Sequence, residues 1–142
     1  MNKTVKIVLI TGLAIIAICG VLAIVALFRP GIIKDIQTKP ACKVADAFMS
    51  DIQNGDLGGA YTLVSDDIRQ NAGNAGALPV YLGILKPIVS FDRGFSMIND
   101  DRSEVTVAYF VVFGDQTEAA ILLSLIKNDE EWEIMDVSVI KN

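Results

Sequence analysis

The stretch VTVAYFVVFGDQTEAAILLSLIK, residues 105–127, decides the fold of this chain. Its two halves are rich in β-branched and apolar residues, and the polar turn Gly114-Asp115-Gln116 separates them, which predicts an antiparallel β-hairpin. Both predicted strands are apolar on both faces, whereas antiparallel sheets usually keep one face in water. We therefore expect the second face to be covered by a curled part of the same sheet, a second copy, another protein or a ligand.

Two further strands flank this hairpin. Before it, residues 89–98 alternate apolar and polar side chains, and Gly94 interrupts the alternation, which predicts a half-buried strand with a bulge at the glycine. After it, the turn Asn128-Asp129-Glu130 leads into a last strand, Trp132–Ile140. Four consecutive strands joined by short polar turns predict an antiparallel meander.

The residues before the sheet change to a helical period. Apolar residues between 41 and 52 recur at helical spacing, which predicts an amphipathic helix that begins at Pro40 and ends at Asn54-Gly55. Asp56 is predicted to cap a second helix that ends near Ser65, and a third runs from about Leu78 to Lys86. Residues 40–142 are thus predicted to form an α+β domain, with three helices packed on a four-stranded antiparallel sheet.

Several segments of this domain carry a family resemblance. The segments VADAFM (44–49), IQNGDL (52–57) and AYTLVS (60–65) resemble the helical opening of cystatin-like, nuclear-transport-factor-2-like (SnoaL-like) domains, and EWEIMDV (131–137) resembles their last strand. In that superfamily a curved sheet wraps around helices to form a cone, so the resemblance implies a conical, cystatin-like domain here. Its members include isomerases, dehydratases, small-ligand binders, dimer modules and anchored envelope domains, and the fold alone does not specify function.

The amino-terminal region contains twenty-two uncharged residues from Ile7 to Phe28. At about 1.5 Å per residue, such a helix is about 33 Å long, which is enough to cross a hydrocarbon core of about 30 Å. The run predicts a single transmembrane helix, residues 7–28, that contacts membrane lipid. A short tail, residues 1–6, precedes it, and a juxtamembrane tether, residues 29–39, follows it.

Two other interpretations of this run are a cleaved secretory signal, cut after Ala26, and a lipoprotein signal ending at Cys19. The run is longer than the apolar region of about 7 to 15 residues that a cleavable signal has. Lipoprotein signals resemble one another in having Gly, Ala or Ser directly before the cysteine, whereas this chain has Ile18 at that position. Both observations favour the uncleaved anchor.

The orientation of the anchor does not follow from charge, because basic residues are nearly balanced across it. The short tail followed by a folded carboxy-terminal domain looks like a signal anchor, which usually exports the domain. We therefore expect a single-pass membrane protein whose domain is extracytoplasmic, in a periplasmic or extracellular space.

The composition excludes several classes of function. Beyond the predicted span the chain has ten basic and seventeen acidic residues, a net charge of −7, so a surface for nucleic acid is not expected. The chain has no histidine, which excludes Ser/His and Cys/His nucleophile systems and histidine-based zinc sites. It also has no glycine-rich phosphate loop with a lysine. We expect no catalytic motif, cofactor site or metal site.

Carboxylates and tyrosines are the remaining candidates for chemistry. Asp92 and Asp136 fall in predicted strands, and an aspartate near Tyr61, Tyr81 or Tyr109 in the mouth of a cone can abstract a proton from a carbonyl compound, as in some relatives. Nothing in their spacing requires this role. Solvated strand positions for the aspartates and core packing for the tyrosines are the ordinary interpretation.

The doubly apolar hairpin provides the candidates for an interface. Phe110, Val112 and Leu122 alternate with the residues expected in the core, and Trp132 is the single tryptophan of the chain. Tryptophan is a common anchor in protein interfaces, although Trp132 can equally pack on the helices.

These observations predict a non-catalytic, membrane-anchored interaction domain, an accessory or assembly subunit of a larger membrane complex. Its partner is predicted to be another protein or a second copy, bound through the sheet. The alternatives are a binder of a hydrophobic small molecule or lipid in a conical pocket, and an enzyme of the isomerase or dehydratase type.

Overall fold

A computed structural model describes residues 30–141, with side-chain environments from Gln37 to Lys141. The predicted tail, residues 1–6, and the predicted span, residues 7–28, lie outside the described residues. Within residues 30–141 no helix combines the length and the apolarity needed to cross a bilayer. Contacts divide the chain into two units, and the second, which begins at Gln37, contains the whole sheet.

The described part of the chain contains four α-helices before the sheet. They are α1 (Pro30–Asn54), α2 (Leu57–Leu63), α3 (Asp66–Ala72) and α4 (Leu78–Tyr81), with a short 3-10 turn at Ala75–Ala77 between the last two. The residues predicted as a tether are thus helical from Pro30 onward, and Pro40 lies inside α1. Proline removes one backbone hydrogen bond from a helix, but Thr38 and Ala41 on either side of it are buried, so packing holds the helix together there.

The prediction of three helices is wrong in number, because Ser65 begins a further helix, α3, two residues after α2 ends at Leu63. The Ser65 side chain accepts a hydrogen bond from the backbone N–H of Ile68, as an N-cap serine does. Asp66 and Asp67 occupy the first turn of α3, where negative charge is favourable. Gly73, at φ +80°, ends the helix.

The last helix is also shorter than predicted. The prediction extended it to Lys86, whereas α4 ends at Tyr81 and Leu82 is its C-cap. Gly83 follows at φ +75°, a left-handed conformation that glycine adopts without strain. The turn therefore occurs at the glycine, before Lys86-Pro87.

The sheet confirms the predicted antiparallel meander. Its strands are β1 (Ile88–Ile98), β2 (Glu104–Phe113), β3 (Glu118–Asn128) and β4 (Glu131–Lys141), and their spatial order is β1-β2-β3-β4. Every neighbouring pair is antiparallel. The domain is therefore α+β, with helices first and strands second.

The bulge predicted at Gly94 is present, because the pairing of β1 with β2 shifts register between Arg93 and Phe95. A shift of one residue moves every later side chain to the opposite face of a strand. Phe91, before the bulge, packs against the core. Phe95, after it, is 49% exposed on the other side.

The core lies between the helices and one face of the sheet, which we call the inner face. Most of its fully buried side chains come from α1 and from alternate positions of the two central strands. They include Phe48 and Met49 of α1, Val105, Val107 and Tyr109 of β2, and Ile121, Leu123 and Leu125 of β3. Burial of each large aliphatic side chain contributes about 1.5–3 kcal/mol, so these positions stabilise the wrapping of the helices against the sheet.

Candidate functional site: the outer face of the sheet

The side chains that alternate with the core residues form the opposite surface of the sheet, which we call the outer face. Strand register assigns its members, because directly paired residues lie on the same face. Its apolar members are Phe95 and Met97 of β1, Ala108, Phe110 and Val112 of β2, Ala120, Leu122 and Ile126 of β3, and Ile140 of β4.

Large apolar side chains of the outer face are open to solvent. Phe110 is 60% exposed, Met97 59%, Ile140 50% and Phe95 49%. Phe110 lies opposite Ala120, which in turn lies opposite Ile140, so apolar side chains continue across three strands spaced about 4.8 Å apart. Scattered exposed hydrophobic residues are normal, whereas large contiguous apolar patches are typical of interaction surfaces.

Phe110 lies at the centre of this patch, against the bulge of β1. A Cβ atom added at Gly94 would lie 2.6 Å from Cε2 of the Phe110 ring, so the ring lies directly on the glycine backbone. An aromatic ring over a cross-strand glycine is a known way to cover exposed backbone. The bulge thus exposes Phe95 and also provides the glycine backbone on which the Phe110 ring packs.

The charged side chains of the outer face are all acidic in the described strands. The register places six carboxylates around the apolar patch: Asp92 in β1, Glu104 in β2, Glu118 in β3, and Glu131, Glu133 and Asp136 in β4. The basic residues of the strands pair with inner-face positions. Arg93 lies opposite Tyr109, Lys127 opposite Trp132 and Lys141 opposite Ala119.

A shallow groove of about 270 Å³ crosses one end of the outer face. Phe110, Val112 and Ala120 form part of its apolar lining, and Asp92 and Glu118 are its two charged residues. The carboxylates come from the strands on either side of β2. The groove therefore combines an aromatic ring with negative charge on two sides.

The inner face carries a polar cluster that the sequence did not reveal. The hydroxyl of Tyr109 donates to Oδ1 of Asp46 at 2.6 Å, and Nη1 of Arg93 donates to Oδ2 of the same carboxylate at 3.1 Å. Burial, and then the hydrogen bond to Asp46, raise the pKa of Tyr109 well above its usual range. Because α1 supplies Asp46 while β1 and β2 supply its partners, the cluster joins the first helix to the sheet.

This cluster does not resemble a proton-abstraction site. Both oxygens of Asp46 accept hydrogen bonds from protein donors, and the Arg93 guanidinium neutralises the carboxylate. The Tyr109 hydroxyl is committed to Asp46, and the residue is fully buried. The arrangement is that of a structural contact.

The structure places the other candidates for chemistry apart from one another. Tyr61 donates from its hydroxyl to the backbone carbonyl of Arg69 at 2.8 Å, and Tyr81 is 47% exposed at the end of α4. Asp92 and Asp136 lie on the outer face, separated from Tyr109 by the sheet. Among residues 30–141 no three metal-ligating side chains come together.

The structure brings three of the four interface candidates together. Phe110, Val112 and Leu122 share the outer face. Trp132 lies on the inner side, where it packs against the hydrophobic core. Phe95 and Met97 join this face because the bulge shifts the register between Arg93 and Phe95.

Comparisons with known proteins agree on the fold. No protein-family model matches the chain, and no curated protein matches it. A solved DUF4783 family protein from Bacteroides uniformis is 11% identical, with a TM-score of 0.53 over 68% of this chain and 95% of that one. A solved NTF2-like protein from Cytophaga hutchinsonii is 13% identical, with a TM-score of 0.52 over 72% of this chain and 95% of that one.

At these identities the similarity concerns the fold alone. The domain has the nuclear-transport-factor-2-like fold, which confirms the fold implied by the resemblance of its helical opening and last strand. The fold hosts many unrelated functions, so the function must be argued from the site.

Proposed function

We propose that this protein is a non-catalytic interaction protein that binds another protein through the outer face of its sheet. The observation that carries the proposal is the exposed apolar patch centred on Phe110, which is 60% exposed in the middle of a four-stranded sheet. Water contact with this patch is unfavourable by about 25 cal/mol per Å² of apolar surface. A bound partner removes that cost.

The acidic rim favours a protein over lipid as the occupant. Insertion of this face into a bilayer would bring Asp92, Glu118 and Asp136 toward hydrocarbon, and burial of an unpaired charge is costly. An anionic lipid surface would also repel these carboxylates. A protein surface can satisfy apolar and charged groups side by side, as protein interfaces do with a hydrophobic centre and a polar rim.

The placement of the carboxylates supports a non-catalytic role. Asp92 and Asp136 lie on the open face of the sheet, away from Tyr109. Asp46, the carboxylate next to that tyrosine, already has two protein donors. A general base needs a free oxygen within reach of the proton that it removes.

The predicted anchor at residues 7–28 completes the proposal. It makes the protein a single-pass membrane protein with an extracytoplasmic domain, an accessory or assembly subunit of a larger membrane complex. Confinement near the bilayer raises the effective concentration of the domain for neighbours in the same membrane. Extraction of native membranes with alkaline carbonate tests the anchor: the chain should remain in the pellet, and its release would contradict this part.

Photo-crosslinking in native membranes tests the contact surface. A photoreactive phenylalanine analogue replaces Phe110 in the full chain, and the matched control carries it at Val80, which is 67% exposed on α4. We expect a discrete protein adduct from position 110 and none from position 80. An absence of adducts at position 110, or the same adducts at both positions, would contradict the proposal.

A further inference from the structure

Charge on the outer face identifies the kind of partner, an inference that rests on the proposed function. We infer that the occupant is a different protein, whose contact surface has an apolar centre bordered by lysine or arginine, and not a second copy of this chain. The inference depends on the signs and positions of the charges around the patch.

Within the four strands, the charged positions of the outer face are all acidic. Asp92 and Asp136 border the patch on the two edge strands, Glu118 borders it at one end, and Glu104, Glu131 and Glu133 border it at the other. Arg93, Lys127 and Lys141, which are the basic residues of the four strands, occupy inner-face positions. A surface that matches this one must supply positive charge around an apolar centre.

A second copy that binds through the same face does not supply that charge. In a symmetric dimer the same patch lies on both sides of the contact, so a set of six carboxylates would meet an identical set. Each chain also carries a net charge of −7 beyond its predicted span. Like charges brought together across an interface cost several kcal/mol, so the apolar gain is opposed around the whole rim.

The groove at the end of the outer face supplies a specific point of contact. Asp92 lies opposite Phe110 and Glu118 lies opposite Val112, so the two carboxylates are two strands apart, about 10 Å across the sheet, and both line the groove together with Phe110. A guanidinium or ammonium group over the Phe110 ring gains cation–π attraction, and the Asp92 carboxylate lies on the neighbouring strand. The groove therefore accepts one basic side chain of the partner.

Binding of defined peptides to the full chain tests the inference. The chain is held in nanodiscs of phosphatidylcholine, and empty nanodiscs are the blank. Three fluorescent amphipathic helical peptides share one leucine and phenylalanine stripe, and the positions beside the stripe are all lysine, all glutamine or all glutamate. Fluorescence anisotropy gives the affinity of each peptide at low and at high salt.

We expect the lysine peptide to bind about tenfold more tightly than the glutamine peptide and the glutamate peptide to bind most weakly, because several exposed ion pairs each add a small gain in affinity. High salt should reduce this preference. The variant Asp92→Asn/Glu118→Gln should lose a measurable part of the preference and keep its affinity for the glutamine peptide. The matched control, Asp129→Asn/Glu130→Gln in the β3–β4 turn, should behave as wild type.

The outcomes separate this inference from the proposed function. Equal affinity for the lysine and glutamine peptides, abolished in both cases by Phe110→Glu, would overturn the basic partner and leave the protein-binding face intact. Concentration-dependent dimers in sedimentation, also abolished by Phe110→Glu, would identify a second copy and overturn the inference alone. Binding of no peptide would overturn the inference, whereas the crosslinks at position 110 decide the proposed function independently.

Discussion

The substitution Tyr109→Phe removes one hydroxyl from a fully buried side chain and leaves the ring in place. The lost interaction is the 2.6 Å hydrogen bond to Oδ1 of Asp46. A hydrogen bond to a charged group contributes about 1.5–3 kcal/mol. The Asp46 side chain is 47% exposed, so water can take the place of the hydroxyl, and Arg93 still donates to the second oxygen. We therefore expect a loss of about 1–2 kcal/mol in the free energy of unfolding.

Urea unfolding of the full chain in detergent measures this loss. Trp132 is the single tryptophan and packs against the core, so its fluorescence follows the unfolding of the domain. The matched control is Tyr81→Phe, the same chemical change on a half-exposed residue, which should stay within about 0.5 kcal/mol of wild type. A double-mutant cycle with Asp46→Ala should give a coupling energy of at least about 0.5 kcal/mol.

The free energy of unfolding at alkaline pH provides a second test of the contact between Tyr109 and Asp46. The pKa of Tyr109 is raised in the folded domain, so the unfolded chain ionises first as pH rises above about 10. The contribution of the protonated Tyr109 to the free energy of unfolding is therefore complete below pH 10. It falls above pH 10, and the loss is about 1.4 kcal/mol at pH 11. In Tyr109→Phe this part of the pH dependence should disappear. Unchanged stability at pH 7, together with the same decline above pH 10 in both proteins, would refute the role of Asp46.

Three further predictions concern the turn, the two faces and the bulge. The contact of Lys86 with Asp115, followed by hydrogen bonds from Thr117, lowers the pKa of Asp115 to about 2, so the stabilisation by the charged Asp115 is present above about pH 4 and is lost as pH falls to 2. The difference in unfolding free energy between wild type and Asp115→Asn should therefore shrink between pH 4 and pH 2. A constant difference would contradict this prediction. Leu123→Ala, at a fully buried position, should lower the free energy of unfolding measured with urea by about 3–4 kcal/mol, whereas Leu122→Ala on the outer face should lower it by about 1 kcal/mol. Equal losses would show that the two residues are assigned to the wrong faces. Gly94→Ala should displace the Phe110 ring while the domain keeps its stability within about 1 kcal/mol. With the photoreactive residue placed at Leu122 instead of Phe110, this variant should give weaker crosslinking, and unchanged crosslinking would contradict the packing of the Phe110 ring on Gly94.

Local signals were sufficient for most of the fold. Alternation of side chains and polar turn residues located all four strands within a few residues, and Gly94 located the bulge, because strand period and turn chemistry are properties of neighbouring residues. The helical part was less complete. Ser65 was interpreted as an end, although the same serine caps the next helix, and Pro40 was interpreted as a beginning, although buried neighbours carry α1 through it.

The amino-acid sequence by itself determined the α+β order, the meander, the net charge and the absence of histidine chemistry, since each depends on residue type and near-neighbour spacing. Only the tertiary structure decided what each face presents. The bulge moved Phe95 to the outer face, the strand register gathered six separate carboxylates into one rim, and Asp46 met Tyr109 across sixty-three positions of the chain. The physical reason is that a side chain's neighbours across a sheet depend on pairing between distant segments, and a single inserted residue reverses which side of the sheet it occupies.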